Sequence, residues 1–418
     1  MVTPPENATV GPLDGLRVLD TATLLAGPYG ATLLGDLGAD VIKVESPTGD
    51  ESRHLGPGRN GEHGPFVGLN RNKRSIVVDL ERPAGRTVFE RLVRTADILI
   101  TNMREPALSR LGLHYDQVRE HRGDIIWAGV TAFGADGPYA GRPGIDFLAQ
   151  GIAGLVAMNG EPEGPPIRVT VPLVDVMTSE LVVAGVLAAL YERGKSGKGQ
   201  RIDVSLLDAL MHAQCTVLGG YFLAGDVTPR TGNRSHYFPP SGIYTCGDGK
   251  LVCITCPAEK FFRNLCDALG TGWGSDPRFE TIAARLEHEE ELDREIADRC
   301  REFSRAALIE RLAAADVMAA PINELPDVVK DPQIRHNKMI VPVEHAAVGT
   351  VEITGMPLHL YRTPGGVRRA PPALGEHTRE ILLELGYSEA EVETLLANGV
   401  VQQWEAEAPA GSEEAVRD

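Results

Sequence analysis

Gly15-Leu-Arg-Val-Leu-Asp20, the loop Thr21-Ala-Thr-Leu-Leu-Ala-Gly-Pro28, a helical segment over 29–37 stopped by Gly38, and Asp40-Val-Ile-Lys-Val-Glu45 are the stretch that decides the fold. Two short apolar runs flank a helix ending at glycine, the strand–helix–strand signature of a parallel sheet. Outward from it, a helix over 83–96 leads into the strand Asp97-Ile-Leu-Ile-Thr101, and Asp124-Ile-Ile-Trp-Ala-Gly-Val130 makes another. Near-continuous apolar strands separated by helices are covered on both faces, so the expected class is a doubly wound α/β domain. The first strand is not followed by G-x-G-x-x-G. Pro28 instead removes a backbone donor near where a pyrophosphate would need one, which argues against a dinucleotide-binding dehydrogenase.

Further along, a helix is expected over 204–218, then a loop-rich stretch to Pro240. A hairpin over 241–256 turns at Gly247-Asp248-Gly249, and helices near 260–269, 292–301 and 304–315 complete an α+β unit. A strand-rich return over 339–351 and 356–361 and a helical segment over 378–397 follow. The expected organisation is a large domain over 11–218 completed by 340–400, a small α+β domain over 225–330, and disordered ends at 1–10 and 402–418.

The chain has 418 residues and a net charge of −17, from 41 basic and 58 acidic residues. That balance excludes nucleic-acid binding driven by phosphate neutralisation, and any anionic ligand must find a local basic patch. The most apolar helix, 178–191, is read as too short to cross a bilayer, so no membrane association is expected. Met1-Val2-Thr3-Pro4-Pro5-Glu6-Asn7 has neither the basic stretch nor the apolar core of a signal peptide, and a cytoplasmic location is expected. Of the six cysteines, Cys253 and Cys256 have CxxC spacing, yet no second pair lies at a plausible distance and a strand would point them to opposite faces. No metal site is expected.

The candidate catalytic residue is Asp175, which closes the extended run Gly164-Pro-Pro-Ile-Arg-Val-Thr-Val-Pro-Leu-Val-Asp175 and opens the long apolar helix. At a strand-to-helix junction, helix-start amides keep a carboxylate ionised and oriented. Such a group can cap the helix, bind a cation or attack an activated carbonyl. Arg71, Lys73 and Arg74 in Asn70-Arg-Asn-Lys-Arg-Ser75 form the densest basic cluster of the large domain, either a solvated strip or an anion site.

Several spaced motifs agree in order. Pro12-Leu-Asp-Gly-Leu-Arg-Val-Leu-Asp20, Leu25-Ala-Gly-Pro28 and Gly35-Asp-Leu-Gly-Ala-Asp-Val-Ile-Lys-Val-Glu45 open the series. Asn72-Lys-Arg-Ser-Ile76, Asn102 with Arg104, Gly137-Pro-Tyr139, Gly197-Lys-Gly-Gln200 and Leu374-Gly-Glu-His-Thr378 continue it. Over roughly 11–400 the chain thus resembles the family III CoA-transferases, a group that includes formyl-CoA and carnitine-CoA transferases and α-methylacyl-CoA racemases. The resemblance implies a Rossmann-like large domain built from both chain ends, a smaller inserted domain, and two ring-shaped subunits interlocked as a homodimer. It places the catalytic Asp on Asp175. It places coenzyme A contacts on Leu25, Ala26, Val78, Asp79, Asn102, Met103, Arg104 and Arg110, and on the stretch through Ile145 to Asp146. Arg110 could equally close a surface helix over 105–111.

Three positions depart from the family pattern. Leu25 stands where formyl-CoA transferase has glutamine, Ser46 replaces an arginine, and Pro143 replaces a lysine whose charge Arg142 would supply. The racemase branch needs a histidine where Ile145 stands, and isoleucine cannot take a proton. The implied chemistry is CoA transfer through an aspartyl anhydride and an aspartyl-CoA thioester on Asp175, with a CoA thioester as substrate, a carboxylic acid as acceptor and no resident cofactor. An acyl-CoA racemase or isomerase and a non-catalytic CoA-binding protein are the alternatives. Arg230, Arg234 and His236 lie on a loop that would either grip a second carboxylate, as in succinate, or form a basic surface.

Overall fold

The computed structural model describes residues 11–235 and 237–405. The chain runs β1 (Arg17–Asp20), α1 (Ala26–Asp36), β2 (Asp40–Glu45), β3 (Lys73–Val78), α2 (Pro83–Thr95), β4 (Ile98–Thr101), β5 (Ile126–Thr131), α3 (Asp146–Ile152), α4 (Leu173–Ser196), β6 (Arg201–Ser205) and α5 (Leu206–Ala213). It continues with β7 (Ser241–Thr245), β8 (Leu251–Thr255), α6 (Glu259–Leu269), α7 (Glu289–Cys300), α8 (Arg305–Ala314) and β9 (Met318–Pro321). It returns through β10 (Ile340–His345), β11 (Gly349–Thr354), α9 (Thr378–Glu384), α10 (Glu389–Ala397) and β12 (Val401–Gln402).

Two compact units result. The first comprises residues up to Ala153, Thr170–Thr216 and the chain from Arg335; the second comprises Gly154–Val169 and Val217–Ile334. The stretch 154–169, assigned by sequence to the large domain, therefore packs with the second unit. Arg230 explains why: its guanidinium donates to the carbonyls of Ala157, Glu161, Pro162 and Gly164 at 3.1–3.4 Å.

The first unit is built on a seven-stranded sheet of order β12-β3-β2-β1-β4-β5-β6. All neighbours are parallel except β12, which runs antiparallel to β3 with Val401 opposite Val78. Both chain ends thus contribute to one α/β sheet. Val18, Leu19, Ile42, Ile98 and Leu99 are fully or almost fully buried, as a sheet covered on both faces requires. Helix α2 starts at Pro83, whose missing donor costs nothing at a first position, and buries Val88, Phe89, Leu92 and Val93 on one face.

Several elements differ from the sequence expectation. β3 was hidden by its charges: all six residues of Lys73–Val78 are buried although two are cationic. β6 occupies the start of the helix expected over 204–218; Ser205 ends the strand and caps α5, its hydroxyl accepting from the Asp208 amide at 3.0 Å. Residues 402 and 403, expected to open a disordered tail, are ordered parts of the first unit. Gln402 pairs with Val77, and the Gln403 side-chain oxygen accepts from the Arg379 amide at 2.9 Å. The remaining end segments, 1–10 and 406–418, lie outside the described residues, and the expected strand over 356–361 is irregular chain.

Helix α4 has 24 residues, ten more than the segment read from sequence, and is apolar and long enough to cross a bilayer by length and composition. Its buried side chains Val174, Thr178, Val182, Val186 and Ala189 form a stripe, and a Cβ on Gly30 of α1 would lie 3.2 Å from Val182. One face of it packs against α1 within the first unit. Gly197 ends it at φ 72°, and a side chain on Gly199 would strike the Ile125 carbonyl at 2.1 Å. These two contacts give the Gly197-Lys-Gly-Gln200 motif its local cause.

In the second unit β9, β8 and β7 form an antiparallel sheet in that order. Phe262, Leu265, Leu292, Ile296, Leu308 and Leu312 from α6, α7 and α8 pack in its core. Cys253 donates from Sγ to the Ala320 carbonyl at 3.3 Å, and burial pushes the Cys256 thiol up to about 12. No metal-type cluster of three or more His, Cys, Asp or Glu occurs among the described residues. Arg234 pairs with Asp293 at 2.9 Å. The two loop arginines, read from sequence as either a carboxylate grip or a basic surface, are thus engaged within their own unit, and His236 lies outside the described residues.

Candidate active site

The strand order places β2 on one side of β1 and β4 on the other, so the chain reverses its winding at β1. The carboxyl ends of β1 and β4 part there and leave a crevice, the usual ligand position in an open α/β sheet. A cavity of about 890 Å³ occupies it, and Asp175 is in its wall.

Asp175 sits inside the first turn of α4, whose N-cap, Pro172, supplies no side-chain acceptor. The cap comes from Asp146 at the start of α3. Its Oδ2 accepts from the amides of Val174 at 2.8 Å and Asp175 at 3.2 Å, while Oδ1 accepts from Gln150 Nε2 at 2.5 Å. Asp146 therefore does the work that sequence reasoning gave to Asp175. No hydrogen bond to the Asp175 carboxylate is formed by the described residues. Burial, followed by the nearby Asp146 charge, pushes the Asp175 carboxyl up to about 7. This corrects the expectation of a carboxylate kept ionised by helix amides: the amides are consumed by Asp146, and Asp175 faces the cavity without compensation.

That arrangement predicts a pH profile. A nucleophilic Asp175 must be ionised, so kcat/KM should rise with pH through about 7 and level off above it. Asp146→Asn removes the like charge while keeping an acceptor for the α4 amides, and should move this limb to lower pH. A pH–rate profile of both proteins checks the sign.

The structure brings Leu25, Ala26, Asn102, Met103, Arg104, Arg142 and Ile145 together with Asp175 around the cavity. Asn102 is partly committed: its side chain accepts from the Thr23 amide at 3.0 Å and donates to the Thr23 carbonyl at 2.7 Å, bracing the two loops of the crevice. Arg104 donates to the Gly141 carbonyl at 3.3 Å. Sequence reasoning did not name Phe133 and Tyr139 as site residues, although Gly137-Pro-Tyr139 was among the matched motifs. Their rings meet edge to face at 6.0 Å, and Arg142 lies 4.1 Å over Tyr139. Aromatic and cationic groups lining the cavity in this way suit a heteroaromatic ring. Glu51, Thr23 and Leu24 also line the cavity and were not foreseen.

Seven expected CoA contacts are not in this lining: Asp146, which is taken up by the α4 amides, and six others. Arg71, fully buried, forms a paired contact with Asp36 at 2.6 and 3.0 Å. Lys73, also fully buried, donates to Asp20 at 2.7 Å. Arg74 binds Asp40, Glu380 and Glu384 at 2.6–3.2 Å. Each cation faces acids from neighbouring elements, so the basic cluster is an internal charge lattice rather than an anion site. Val78 is buried at 1% exposure in the core beside β12. Asp79 accepts from Arg82 Nε at 3.0 Å, and its amide donates to the Val400 carbonyl at 2.9 Å. Arg110 is exposed and pairs with Glu81 at 2.6 Å. Arg110→Ala should accordingly leave KM for an acyl-CoA within about twofold and cost under about 1 kcal/mol of stability, as measured by kinetics and urea unfolding.

Comparison with known proteins shows the family. Residues 13–378 match the family model described as CoA-transferase family III. The chain is 36% identical over 385 residues to the succinate–glutarate CoA-transferase of Agrobacterium fabrum, covering 90% of this chain and 96% of that protein. It is 34% identical to the succinyl-CoA–L-malate CoA-transferase beta subunit of Chloroflexus aurantiacus, covering 94% and 99% respectively. Among solved structures, a CAIB/BAIF family protein from Brucella suis superposes with TM-score 0.83 at 35% identity, covering 90% of this chain and 99% of that one. With a cavity at the crevice of a doubly wound sheet and matches across nearly its whole length, the chain belongs to CoA-transferase family III and is a CoA-transferase.

Proposed function

We propose that this enzyme moves CoA from a dicarboxylic acyl-CoA to a second carboxylic acid through covalent intermediates on Asp175. The observation that carries the proposal is the Asp175 carboxyl itself, lining the cavity with no hydrogen bond to its oxygens among the described residues, and with burial raising it to about 7 so that it exchanges its proton near neutral pH. Once ionised, it is a poorly solvated and therefore reactive nucleophile.

Its oxygen attacks the thioester carbonyl, forming an acyl–aspartyl anhydride and expelling the CoA thiolate. The thiolate attacks the aspartyl carbonyl, giving aspartyl-CoA thioester and releasing the donor acid as carboxylate. The acceptor carboxylate attacks that thioester, and the thiolate then takes the acceptor acyl group, which regenerates Asp175. The opening amides of α1, at Ala26 and Gly27, precede the first intrahelical bond, from Tyr29 N to Leu25 O, and as helix-start donors beside the cavity-lining Ala26 they are the proposed oxyanion donors. The Phe133–Tyr139–Arg142 wall suits the adenine of CoA, which binds as a substrate and leaves with the product.

The dicarboxylic preference is taken from relatives named for succinyl, glutarate and malate transfer. No histidine lines the cavity among the described residues, and Ile145 stands beside Asp175, which favours transfer over racemisation. A homodimer, interlocked as in the family, is proposed as the working form. Phe222 and Leu223, exposed at 77% and 91%, would be covered in it, and sedimentation of the purified protein tests it. The cytoplasm is the proposed compartment.

The substrate proposal is tested by incubating the enzyme with succinyl-CoA and glutarate, malate or acetate and separating the acyl-CoA products. Glutaryl-CoA or malyl-CoA forming well ahead of acetyl-CoA supports it. Deuterium entering the α-carbon of a chiral acyl-CoA in heavy water, with no change of acid, would assign racemisation instead.

A further inference from the structure

We infer that the segment 22–28, the loop after β1 and the first turn of α1, is a pre-set wall of the cavity, and that Lys73 and Ser179 are its positioning residues. The kinetic consequence rests on the proposed function above; the positioning itself does not.

The loop carries Thr23, Leu24, Leu25 and Ala26 into the cavity wall. Leu24 adopts φ 66°, a left-handed conformation that branched L side chains rarely take and that persists only where the surroundings over-determine it. Here they do, and chiefly through side chains. The Ala22 amide donates to Asp20 Oδ1 at 3.1 Å, and the Leu24 amide to Asp50 Oδ1 at 3.1 Å. Lys43 Nζ donates to the Ala22 carbonyl at 3.0 Å and Lys73 Nζ to the Pro28 carbonyl at 2.7 Å.

These four side chains form one buried cluster. Lys73 spends its other donors on Asp20 at 2.7 Å and Asn70 at 2.8 Å, while Lys43 pairs with Asp50 at 2.7 Å and Asp20 at 3.4 Å. Asp20, Lys43, Asp50 and Lys73 are each at most 1% exposed. Beneath them Glu45 is held by Arg53 at 2.8 Å. A cluster that served only to join strands would end on strand groups. This one directs both ammonium groups and the Asp50 carboxylate onto the backbone of the loop.

Ser179 completes the device from the other side. Its buried hydroxyl lies 2.8 Å from the Ala26 carbonyl and 2.9 Å from the Asp175 carbonyl, one helical turn below the nucleophile. The first turn of α1 is thereby indexed to the first turn of α4. Lys73 fixes the depth of the wall and Ser179 fixes its distance from Asp175.

Lys73→Met and Ser179→Ala are tested by hydrogen exchange of the free protein and by kinetics with succinyl-CoA and glutarate. The expected result is a loss of protection of about tenfold or more in peptides covering 21–30, with the β5 peptide unchanged. With it, kcat should fall about 10–100-fold from misplacement of the wall, while KM for succinyl-CoA stays within about threefold. Unchanged exchange at 21–30 in folded Ser179→Ala, or wild-type kcat in both variants, overturns the inference. If Lys73→Met fails to fold, Ser179→Ala decides alone. If the wild type moves no CoA, the transfer reading fails, and the exchange measurement still decides the positioning.

Discussion

Asp175→Asn should lower kcat for CoA transfer by about 10⁴-fold or more while leaving CoA affinity within a few-fold. An amide has nearly the shape of the carboxyl but cannot attack a thioester, and the cavity walls that bind the nucleotide and pantetheine are untouched. The variant also separates chemistry from folding. The carboxyl is raised to about 7 in the folded protein against 3.8 unfolded, so between these values the folded state holds the extra proton. Its contribution makes stability fall as pH rises from about 4 through about 7, after which the penalty is constant. Asparagine carries no such penalty. At pH 8 the variant should therefore unfold at the same temperature as the wild type or a higher one, and an inactive but fully stable protein is the expected outcome. Equal losses of activity and stability would assign Asp175 a structural role.

Arg71→Ala should destabilise the protein by about 3–5 kcal/mol, because it strands a buried acid. Asp36 is 1% exposed, and burial alone raises its carboxyl; the Arg71 contact at 2.6 Å is the main compensation. Arg71 also donates to Thr354 Oγ1 at 3.2 Å, so the β10–β11 hairpin loses an anchor. Urea unfolding of Arg71→Ala, Asp36→Ala and the double variant should show a double far less costly than the sum of the singles. In the folded fraction, KM for acyl-CoA should be unchanged. A raised KM with unchanged stability would restore the surface anion site that the basic run Asn70–Ser75 suggests in sequence.

These two cases show where the sequence was readable. The apolar strands at 17–20, 40–45, 98–101 and 126–131 announced themselves because burial on both faces demands continuous apolar runs. β3 did not, since Lys73 and Arg74 have the composition of a surface and acquire acidic partners only in three dimensions, from Asp20, Asp40 and Glu384. β12 was equally silent: two residues at the chain's end gain meaning only against Val77 and Val78.

In the candidate site, the place of Asp175 at the head of α4 was legible from its junction, and the structure sets it in the cavity wall with the first loop. Its electrostatic state was not legible. Whether helix amides serve Asp175 or Asp146 depends on the placement of α3, 29 residues earlier, and no local pattern encodes that choice. Phe133 and Tyr139 were likewise separate in sequence, and only the turn between them brings their rings edge to face with Arg142 over Tyr139.

Covalent chemistry at Asp175 is the central step of the proposed transfer. The decisive measurement is intact-protein mass spectrometry after mixing with succinyl-CoA, with borohydride or hydroxylamine trapping and peptide mapping. An adduct on the peptide carrying Asp175, absent in Asp175→Ala and discharged by an acceptor acid, is the predicted result. Turnover of succinyl-CoA to a second acyl-CoA with no trappable adduct at Asp175 would contradict it and require direct transfer between the two substrates.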